Sequence, residues 1–311
     1  MDKQKLIDTH KRIAPYIHRT PVLTSRLIDK KAGAALFFKC ENFQGMGAYK
    51  LRGATNAILQ LSESDREKGV VTHSSGNFAQ ALALAAQSLG VDAHIVMPSS
   101  APKVKMDGVK TYGGKIYICA PTLTAREAEA DRITRETGAT FLHPSNDPEV
   151  ILGQGTAALE LLEDYPDLEY IVTPVGGGGL IAGSALATHY FGKNCLVIGG
   201  EPFEVDDAYR SFHSGKIETN ETTNTIADGL KTVLGDKTFP IIRKHVHDII
   251  RVTEEEIVEA MKLIWERMKI IVEPSSAVAL AAVLREPDRF HAKKVGIIIS
   301  GGNVDLGNLP F

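Results

Sequence analysis

The sequence predicts an α/β protein in which mostly parallel β-sheet is covered by helices. Short β-rich runs alternate with helical runs through most of the 311 residues, which is the pattern of strands joined by crossover helices. Most of these runs end at glycine, serine or proline turns. The apolar content of 43% allows a large core, and the length exceeds the size at which one core usually stops growing. Two lobes are therefore expected.

The individual strands follow from runs of β-branched and aromatic residues bounded by turn residues. Polar turns flank residues 69–145 on both sides, which predicts a small domain of three or four strands inserted into a large domain of residues 1–68 and 146–311. Ligands of open α/β sheets bind at the carboxyl ends of the strands, so the loops after these runs are candidate sites. The predicted strands are 35–39, 69–72, 93–97, 115–118, 170–173, 195–198 and 295–299.

Charge and cysteine content exclude several function classes. The net charge is −3 and no basic block occurs, so neither nucleic acid nor an anionic membrane is expected as a partner, and a small molecule is. Cys40, Cys119 and Cys195 lack the spacing of a metal site and are interpreted as small apolar residues. With a polar N-terminus and no apolar run of about 20 residues, a cytoplasmic protein is expected.

Lys50 is the first candidate catalytic residue. It lies between Gly47 and Gly53 at the predicted start of a helix. A lysine beside Arg52 is usually a solvated charge, but an amine held in a glycine-containing loop is suited to a Schiff base with a carbonyl cofactor.

A second motif follows the predicted strand 170–173 and precedes a helical segment. Free backbone N–H groups at a helix N-terminus form a good phosphate site. The spacing of Gly177, Gly179 and Ala182, with Glu201 further on, also fits a loose dinucleotide fingerprint, so a nicotinamide dehydrogenase stays an alternative, as does a tight turn without a ligand. A cofactor with one aldehyde and one phosphate, pyridoxal 5'-phosphate, would use both this motif and Lys50. The motif consists of Gly176, Gly177, Gly178 and Gly179.

These motifs, in this order, resemble the fold-type II (tryptophan synthase β-like) pyridoxal-phosphate enzymes, and within them the serine racemases and serine/threonine dehydratases. The likeness extends over most of the chain. It implies two open, twisted, mostly parallel sheets covered by helices, and a homodimer. Further segments that carry it are 72–77, 153–156, 225–229, 271–275 and 300–303.

The resemblance also implies roles for single residues. Lys50 matches the lysine that binds the cofactor and acts as acid and base on one face of the substrate. The four glycines match the phosphate loop, Asn77 matches the residue that bonds the pyridine 3-hydroxyl, and Ser300 matches the partner of the ring nitrogen. A serine there leaves the nitrogen uncharged, which favours prompt β-elimination over transamination.

The residue type at position 75 distinguishes the racemases of this family from many of the dehydratases. Racemisation requires a second acid/base group opposite the lysine, and the racemases resemble the Ser-Ser-Gly-Asn run at residues 74–77, whereas many dedicated dehydratases have alanine at this position. The implied activity is a serine racemase that also dehydrates L-serine and L-threonine. A dedicated threonine/serine or threo-3-hydroxyaspartate dehydratase is the alternative, Ser75 then being a helix N-cap; a non-catalytic amino-acid-binding protein is a further one.

Glu201, Val205 and Asp207 resemble the divalent-cation site of the family, with Val205 contributing its carbonyl oxygen. Oxygen ligands suit Mg²⁺, Ca²⁺ or Mn²⁺, although such carboxylates also occur in solvated acidic turns. Phe78 stands where the family usually has histidine. The nucleotide site of the mammalian racemase is not recognisable, so activation by ATP is not expected.

Overall fold

The computed structural model describes residues 1–101 and 103–311 and confirms an α/β fold with two sheets. One sheet has six strands and the other four. The strands are β1 (Val22–Leu23), β2 (Ala35–Cys40), β3 (Val70–His73), β4 (Ala93–Pro98), β5 (Lys115–Cys119), β6 (Thr140–Phe141), β7 (Tyr170–Pro174), β8 (Leu196–Pro202), β9 (Asp248–Val252) and β10 (Lys294–Ile299).

Helices connect these strands and cover the sheets, as parallel strand order requires. Most are amphipathic or fully buried, and several begin at an Asp, Ser or Thr that accepts a hydrogen bond from the first turn. They are α1 (Lys3–Ile13), α2 (Arg26–Ala32), α3 (Lys50–Leu59), α4 (Glu63–Lys68), α5 (Asn77–Leu89), α6 (Lys103–Thr111), α7 (Leu123–Thr137), α8 (Pro148–Asp164), α9 (Gly179–Phe191), α10 (Asp207–Ser214), α11 (Thr238–His245), α12 (Glu254–Met268), α13 (Pro274–Arg285) and α14 (Pro287–Phe290).

The strands form two separate sheets in which nearly all neighbours are parallel. The six-stranded sheet has the order β1-β2-β10-β7-β8-β9, and within it only β1 is antiparallel to its neighbour. The four-stranded sheet has the order β5-β4-β3-β6 and is parallel throughout. Both sheets therefore present the carboxyl ends of several strands at one edge, where the predicted motifs lie.

All seven predicted strands are present; the ends of six differ by at most one residue, and β8 extends four residues beyond the predicted end at 198. The sequence interpretation missed β1 and β6, which have two residues each, and β9. Two-residue strands carry no periodic pattern, and β9 lies at the edge of its sheet with Asp248 and Arg251 interrupting its apolar run.

The strands of the four-stranded sheet all lie between residues 70 and 141, and those of the other sheet all lie outside this range. Helix α3 packs against both α5 and α8, so it contacts elements on either side of the predicted domain boundaries. The boundaries at residues 69 and 145 stay a prediction.

The apolar residues form buried clusters on both faces of the large sheet and around α5 in the small one. Cys40 belongs to this core, whereas Cys119 and Cys195 are partly exposed. No helix in the described part of the chain combines the length and apolarity that crossing a bilayer requires.

A buried ionic cluster joins α3, α8 and β2. Arg52 makes two hydrogen bonds to Glu41, at 2.7 and 2.8 Å, and two to Glu160, both at 2.8 Å. Lys39 Nζ lies 2.6 Å from Glu160 Oε2. All four side chains are at most 1% exposed, so the charges are removed from water and are compensated by one another and by neighbouring polar groups, Thr20 among them. Burial by itself would raise the pKa of Glu160, but hydrogen bonds from His10 and Arg52 and the charges of Arg52 and Lys39 lower it.

We expect Glu160→Ala to lower the free energy of unfolding by about 3–5 kcal/mol, because it leaves buried cations without their partner. Equilibrium urea unfolding would measure the change. Glu163→Ala is the matched control on the same helix, since the Glu163 ion pair with Arg19 is 44% exposed on the glutamate side and should contribute less than about 1 kcal/mol. Equal effects of the two substitutions would contradict the assignment of the cluster as a stabilising element.

Candidate active site

Lys50 is the first residue of α3, as predicted. The loop before it is bonded to the loop after β10: Tyr49 N donates to Ser300 O at 3.0 Å, and Gly302 N donates to Gly47 O at 2.9 Å. Gly47 has a φ of +82° and leaves no room for a Cβ beside Asn303. The structure thus brings the candidate residues Lys50 and Ser300 together through main-chain hydrogen bonds.

The Lys50 amine is half-buried among protein groups. Its Nζ donates to Pro144 O at 2.7 Å and lies 5.1 Å from the Tyr49 ring centroid and 5.8 Å from that of Phe78. Desolvation lowers the pKa of Lys50 to about 8, against the opposing charge of Glu273. The amine can therefore be neutral near physiological pH, which a nucleophile or a base requires.

The glycine loop connects β7 to α9. Gly178 has a φ of +82° and is the N-cap of α9, and no side chain caps this helix. Among the described residues, none accepts a hydrogen bond from the backbone N–H groups of Gly177, Gly178 or Gly179. A Cβ on Gly177 would collide with Ser145, which follows the Pro144 that contacts Lys50. Free N–H groups at a helix N-terminus suit a phosphate, and this loop lies near the amine.

Asn77 is the first residue of α5. Its Nδ2 donates to Glu273 Oε1 at 2.8 Å, and its Oδ1 accepts from Asn303 Nδ2 at 3.0 Å. Asn303 also donates to Met46 O at 2.9 Å, in the loop that leads to Lys50. These contacts place Asn77 beside the Lys50 loop.

Ser300 follows β10 and is 3% exposed. Its Oγ lies 3.0 Å from Ser276 Oγ. Ser276 Oγ also donates to Gly301 O at 2.6 Å and accepts from Gly301 N at 2.7 Å. Because the single proton of Ser276 is used by Gly301, the Ser300 hydroxyl is free to donate either to Ser276 or to a ligand atom.

Ser75 lies in the loop between β3 and α5. The prediction that it could cap α5 is wrong: Gly76 is the N-cap, and the hydroxyl that accepts its N–H, at 3.3 Å, is that of Ser74. Within the described residues, Ser75 Oγ has no hydrogen-bond partner. The Ser75 side chain is partly exposed and makes no hydrogen bond to the surrounding loop.

The candidate cation ligands are buried in the turn between β8 and α10. Glu201 accepts hydrogen bonds from Ala208 N and Tyr209 N at 2.9 and 2.7 Å, and so caps α10. Asp207 accepts from Asn220 Nδ2 at 2.6 Å and from Leu234 N at 3.1 Å. Burial and then the Asp207 charge raise the pKa of Glu201 well above its ordinary value, and burial raises the pKa of Asp207 to about 6.

The buried side chains of Glu201 and Asp207 do not form a solvated acidic turn, which corrects that alternative. In the described part of the chain, no three His, Cys, Asp or Glu side chains gather as a metal cluster. A cation here would need main-chain oxygen, such as that of the buried Val205, and water as further ligands.

The residues around Lys50 fit pyridoxal phosphate: an amine of lowered pKa, N–H groups without acceptors, and a serine hydroxyl free to donate. The sequence profile of the family described as pyridoxal-phosphate dependent enzyme matches residues 13–301. The chain belongs to this family. A serine racemase from Arabidopsis thaliana is 51% identical over 307 residues, covering 97% of this chain and 93% of the relative.

Two further relatives of this pyridoxal-phosphate enzyme are similar over nearly their whole length. A beta-hydroxyaspartate dehydratase from Paracoccus denitrificans (strain Pd 1222) is 48% identical over 308 residues, which is 99% of this chain and 98% of the relative. The crystal structure of serine racemase from Dictyostelium discoideum has a TM-score of 0.94 at 49% identity and covers 98% of this chain and 99% of that one. These findings confirm the fold-type II resemblance, and the dehydrogenase alternative is wrong.

The sequence interpretation assigned no role to Glu273, Asn303, Ser276 or Pro144. Glu273 and Asn303 lie in segments that carried the family resemblance, so their position was indicated but their contacts were not. Asn77 is separated from Glu273 by 196 residues and from Asn303 by 226. Only the fold reveals such pairs.

We expect the Lys50 amine to react with pyridoxal phosphate at a rate that rises with pH to a midpoint near 8, because only the neutral amine is a nucleophile. Trapping with cyanoborohydride, followed by peptide mass spectrometry, would measure the rate at each lysine. Solvent-exposed lysines, which ordinarily titrate near about 10.4, are the internal control. A Lys50 midpoint equal to theirs would show that burial does not lower its pKa.

Proposed function

We propose that this enzyme is a serine racemase that interconverts L- and D-serine and also dehydrates L-serine and L-threonine. The observations that carry the proposal are an amine of lowered pKa, Lys50, and a serine hydroxyl, Ser75, that has no hydrogen-bond partner among the described residues. The serine racemases among its relatives support it, at 51% identity for the Arabidopsis protein.

When bound, pyridoxal phosphate supplies an aldehyde for amines and a ring that withdraws electrons from the α-carbon of an attached amino acid. In this chain, Lys50 would hold the aldehyde in the resting enzyme, and the N–H groups of the glycine loop would hold the phosphate. The Ser300 hydroxyl would bond the ring nitrogen, and Asn77 the ring 3-oxygen. A neutral hydroxyl leaves that nitrogen without a full positive charge, so the electron withdrawal stays moderate.

Lys50 and Ser75 divide the proton transfers. The neutral amine of Lys50 takes the α-proton of L-serine, and Ser75 Oγ returns a proton on the opposite face to give D-serine. If the β-hydroxyl leaves before a proton returns, the products are pyruvate and ammonia instead. Both outcomes start from the same proton removal by Lys50.

Dehydration of 3-hydroxyaspartate is the second candidate. The Paracoccus relative, a beta-hydroxyaspartate dehydratase, is 48% identical to this chain, close to the value for the racemases. Phe78, whose ring lies 5.8 Å from Lys50 Nζ, is an apolar neighbour of the reacting amine. A bulky apolar side chain there favours a substrate with a small neutral β-substituent, such as serine, over a second carboxylate.

The test is incubation of the purified, pyridoxal-loaded enzyme with L-serine, with D-serine measured by chiral chromatography and pyruvate measured in the same sample. We expect both products from the wild type. Ser75→Ala should lose D-serine formation by at least about 100-fold, the usual contribution of one positioned acid or base, and should keep pyruvate formation from one enantiomer. Ser74→Ala is the matched control, since Ser74 Oγ only accepts a backbone N–H.

Pyruvate without D-serine from the wild type would identify a dedicated dehydratase. If the wild type forms neither pyruvate nor D-serine from L-serine but turns over 3-hydroxyaspartate, the second candidate is favoured. Racemisation by Ser75→Ala at the wild-type rate would refute the two-base assignment while leaving the Lys50 assignment standing.

We also propose that Glu201, Asp207 and the carbonyl oxygen of Val205 bind Mg²⁺, Ca²⁺ or Mn²⁺. Burial raises the pKa of both carboxyls, and the charge of Asp207 raises that of Glu201 further, so a cation between them would stabilise their charged forms. The family resemblance further supports a homodimer. The polar N-terminus supports a cytoplasmic location, and the flanking polar turns support residues 69–145 as the small domain.

We expect Mg²⁺ to raise the midpoint of thermal unfolding and EDTA to lower it, since a ligand at about 100 times its Kd stabilises the native state by about 2.7 kcal/mol. Scanning calorimetry with and without the cation would measure the shift. Asp207→Asn should abolish it. Asp206→Asn is the control, because Arg210 and Arg251 occupy that carboxylate at 2.6 and 2.8 Å. An unchanged cation effect in Asp207→Asn would exclude the site.

A further inference from the structure

The carboxamide of Asn77 is held from two sides. Glu273 Oε1 accepts from its Nδ2 at 2.8 Å, and Asn303 donates to its Oδ1 at 3.0 Å. A carboxamide has two donor hydrogens and an acceptor oxygen. After these two contacts, one hydrogen of Nδ2 is left for a ligand, and the carboxamide cannot turn over without losing both bonds. The orientation of Asn77 is therefore fixed before any ligand binds.

Glu273 is unusual at its place in the chain. It is the N-cap of α13, but its side chain makes no capping hydrogen bond to that helix, and glutamate is not among the favoured N-cap residues. The carboxyl instead lies 3% exposed against Asn77. A Cβ on Gly301 would lie 2.9 Å from Glu273 Oε1, so the carboxyl packs closely against the loop after β10. The buried carboxyl therefore does not stabilise α13 through a capping hydrogen bond.

The titratable groups around Glu273 come from three elements. Lys50 and Tyr49 lie at the start of α3, Asp228 lies in the 3-10 turn Asp228–Leu230, and Lys105 on α6 pairs with Asp228. Burial and then Asp228 raise the pKa of Glu273 to about 8, against the effect of Lys105. Below that pH the carboxyl is neutral and still accepts from Asn77 through its carbonyl oxygen.

We propose that Glu273 is a positioning residue that acts through Asn77: it fixes the carboxamide so that the remaining N–H is available to the 3-oxygen of the pyridoxal ring. The inference rests on the proposed function, because it takes Asn77 to contact that ring. Glu273 itself touches neither substrate nor cofactor in this assignment. Its effect on the cofactor is transmitted by one hydrogen bond, and Asn303 completes the arrangement on the other side.

Two quantities test the proposal. One is the affinity of the apoenzyme for pyridoxal phosphate, and the other is the pH at which the absorption band of the bound cofactor is half changed. Glu273→Leu keeps the volume but removes the acceptor, and should weaken binding about 10-fold and move the pH midpoint, because Asn77 is then free to turn. Glu273→Gln keeps an acceptor oxygen and should stay within about 2-fold of the wild type. Glu254→Gln is the control, because its carboxylate accepts from Ile226 N and not from Asn77.

A double-mutant cycle tests whether the effect passes through Asn77. If it does, Glu273→Leu combined with Asn77→Ala should bind the cofactor no more weakly than Asn77→Ala alone. Additive losses would overturn the proposal, as would wild-type affinity and an unmoved pH midpoint in Glu273→Leu. Should that variant fail to fold, Glu273→Met also removes the acceptor, and wild-type affinity with an unmoved pH midpoint in it would overturn the proposal equally.

The two proposals fail separately. Loss of the proposed function would appear as missing D-serine and pyruvate in the wild type, whatever the cofactor affinity. Failure of the positioning role would appear in cofactor affinity and pH midpoint while the wild-type products are unchanged.

Discussion

The hydrogen-bonded ionic cluster around Arg52 is the constraint on which the active site depends. Each charge removed from water costs several kcal/mol unless a partner compensates it, and Arg52 finds its partners on two other elements, Glu41 after β2 and Glu160 in α8. Any shift of α3 relative to these elements would leave a buried charge unpaired. Since Lys50 is the first residue of the same helix, the cluster fixes the backbone position of the reactive amine.

Backbone contact between helices extends this constraint to the phosphate loop. A Cβ on Gly153 of α8 would lie 2.6 Å from Arg52 O, and one on Gly155 would lie 2.6 Å from Gly183 O of α9. The three helices α3, α8 and α9 therefore touch at distances that only glycine permits. Helix α3 begins at the amine and α9 begins at the glycine loop. The close packing of these helices thus sets the distance between the N-termini of α3 and α9, which would hold the cofactor.

The sequence predicted those features of the site that depend only on residues adjacent in the chain. Lys50 at a helix start and the glycine loop after a strand were confirmed in position, because turn glycines and strand periodicity are properties of adjacent residues. The contact between Ser276 and Ser300 depends on the packing of α13 against β10, and the contact between Asn77 and Glu273 joins elements that belong to different sheets. The N-cap interpretation of Ser75 was wrong for a different reason, since the N-cap of α5 is Gly76, one residue later than that interpretation required.

The buried charges of this enzyme serve two different purposes. In the Arg52 cluster, every carboxylate accepts several donors, two cations balance two anions, and the pKa of Glu160 is lowered, so the charges persist. At the site, burial lowers the pKa of Lys50 to about 8, which suits a group that must gain and lose protons. Burial raises the pKa of Glu273, whose carboxyl accepts a hydrogen bond from Asn77 in either protonation state. Lys50 and Arg52 are two residues apart on a helix, and such residues do not face each other. Arg52 and its carboxylate partners Glu41 and Glu160 can therefore anchor the helix without either carboxylate pairing with Lys50 and holding the amine protonated.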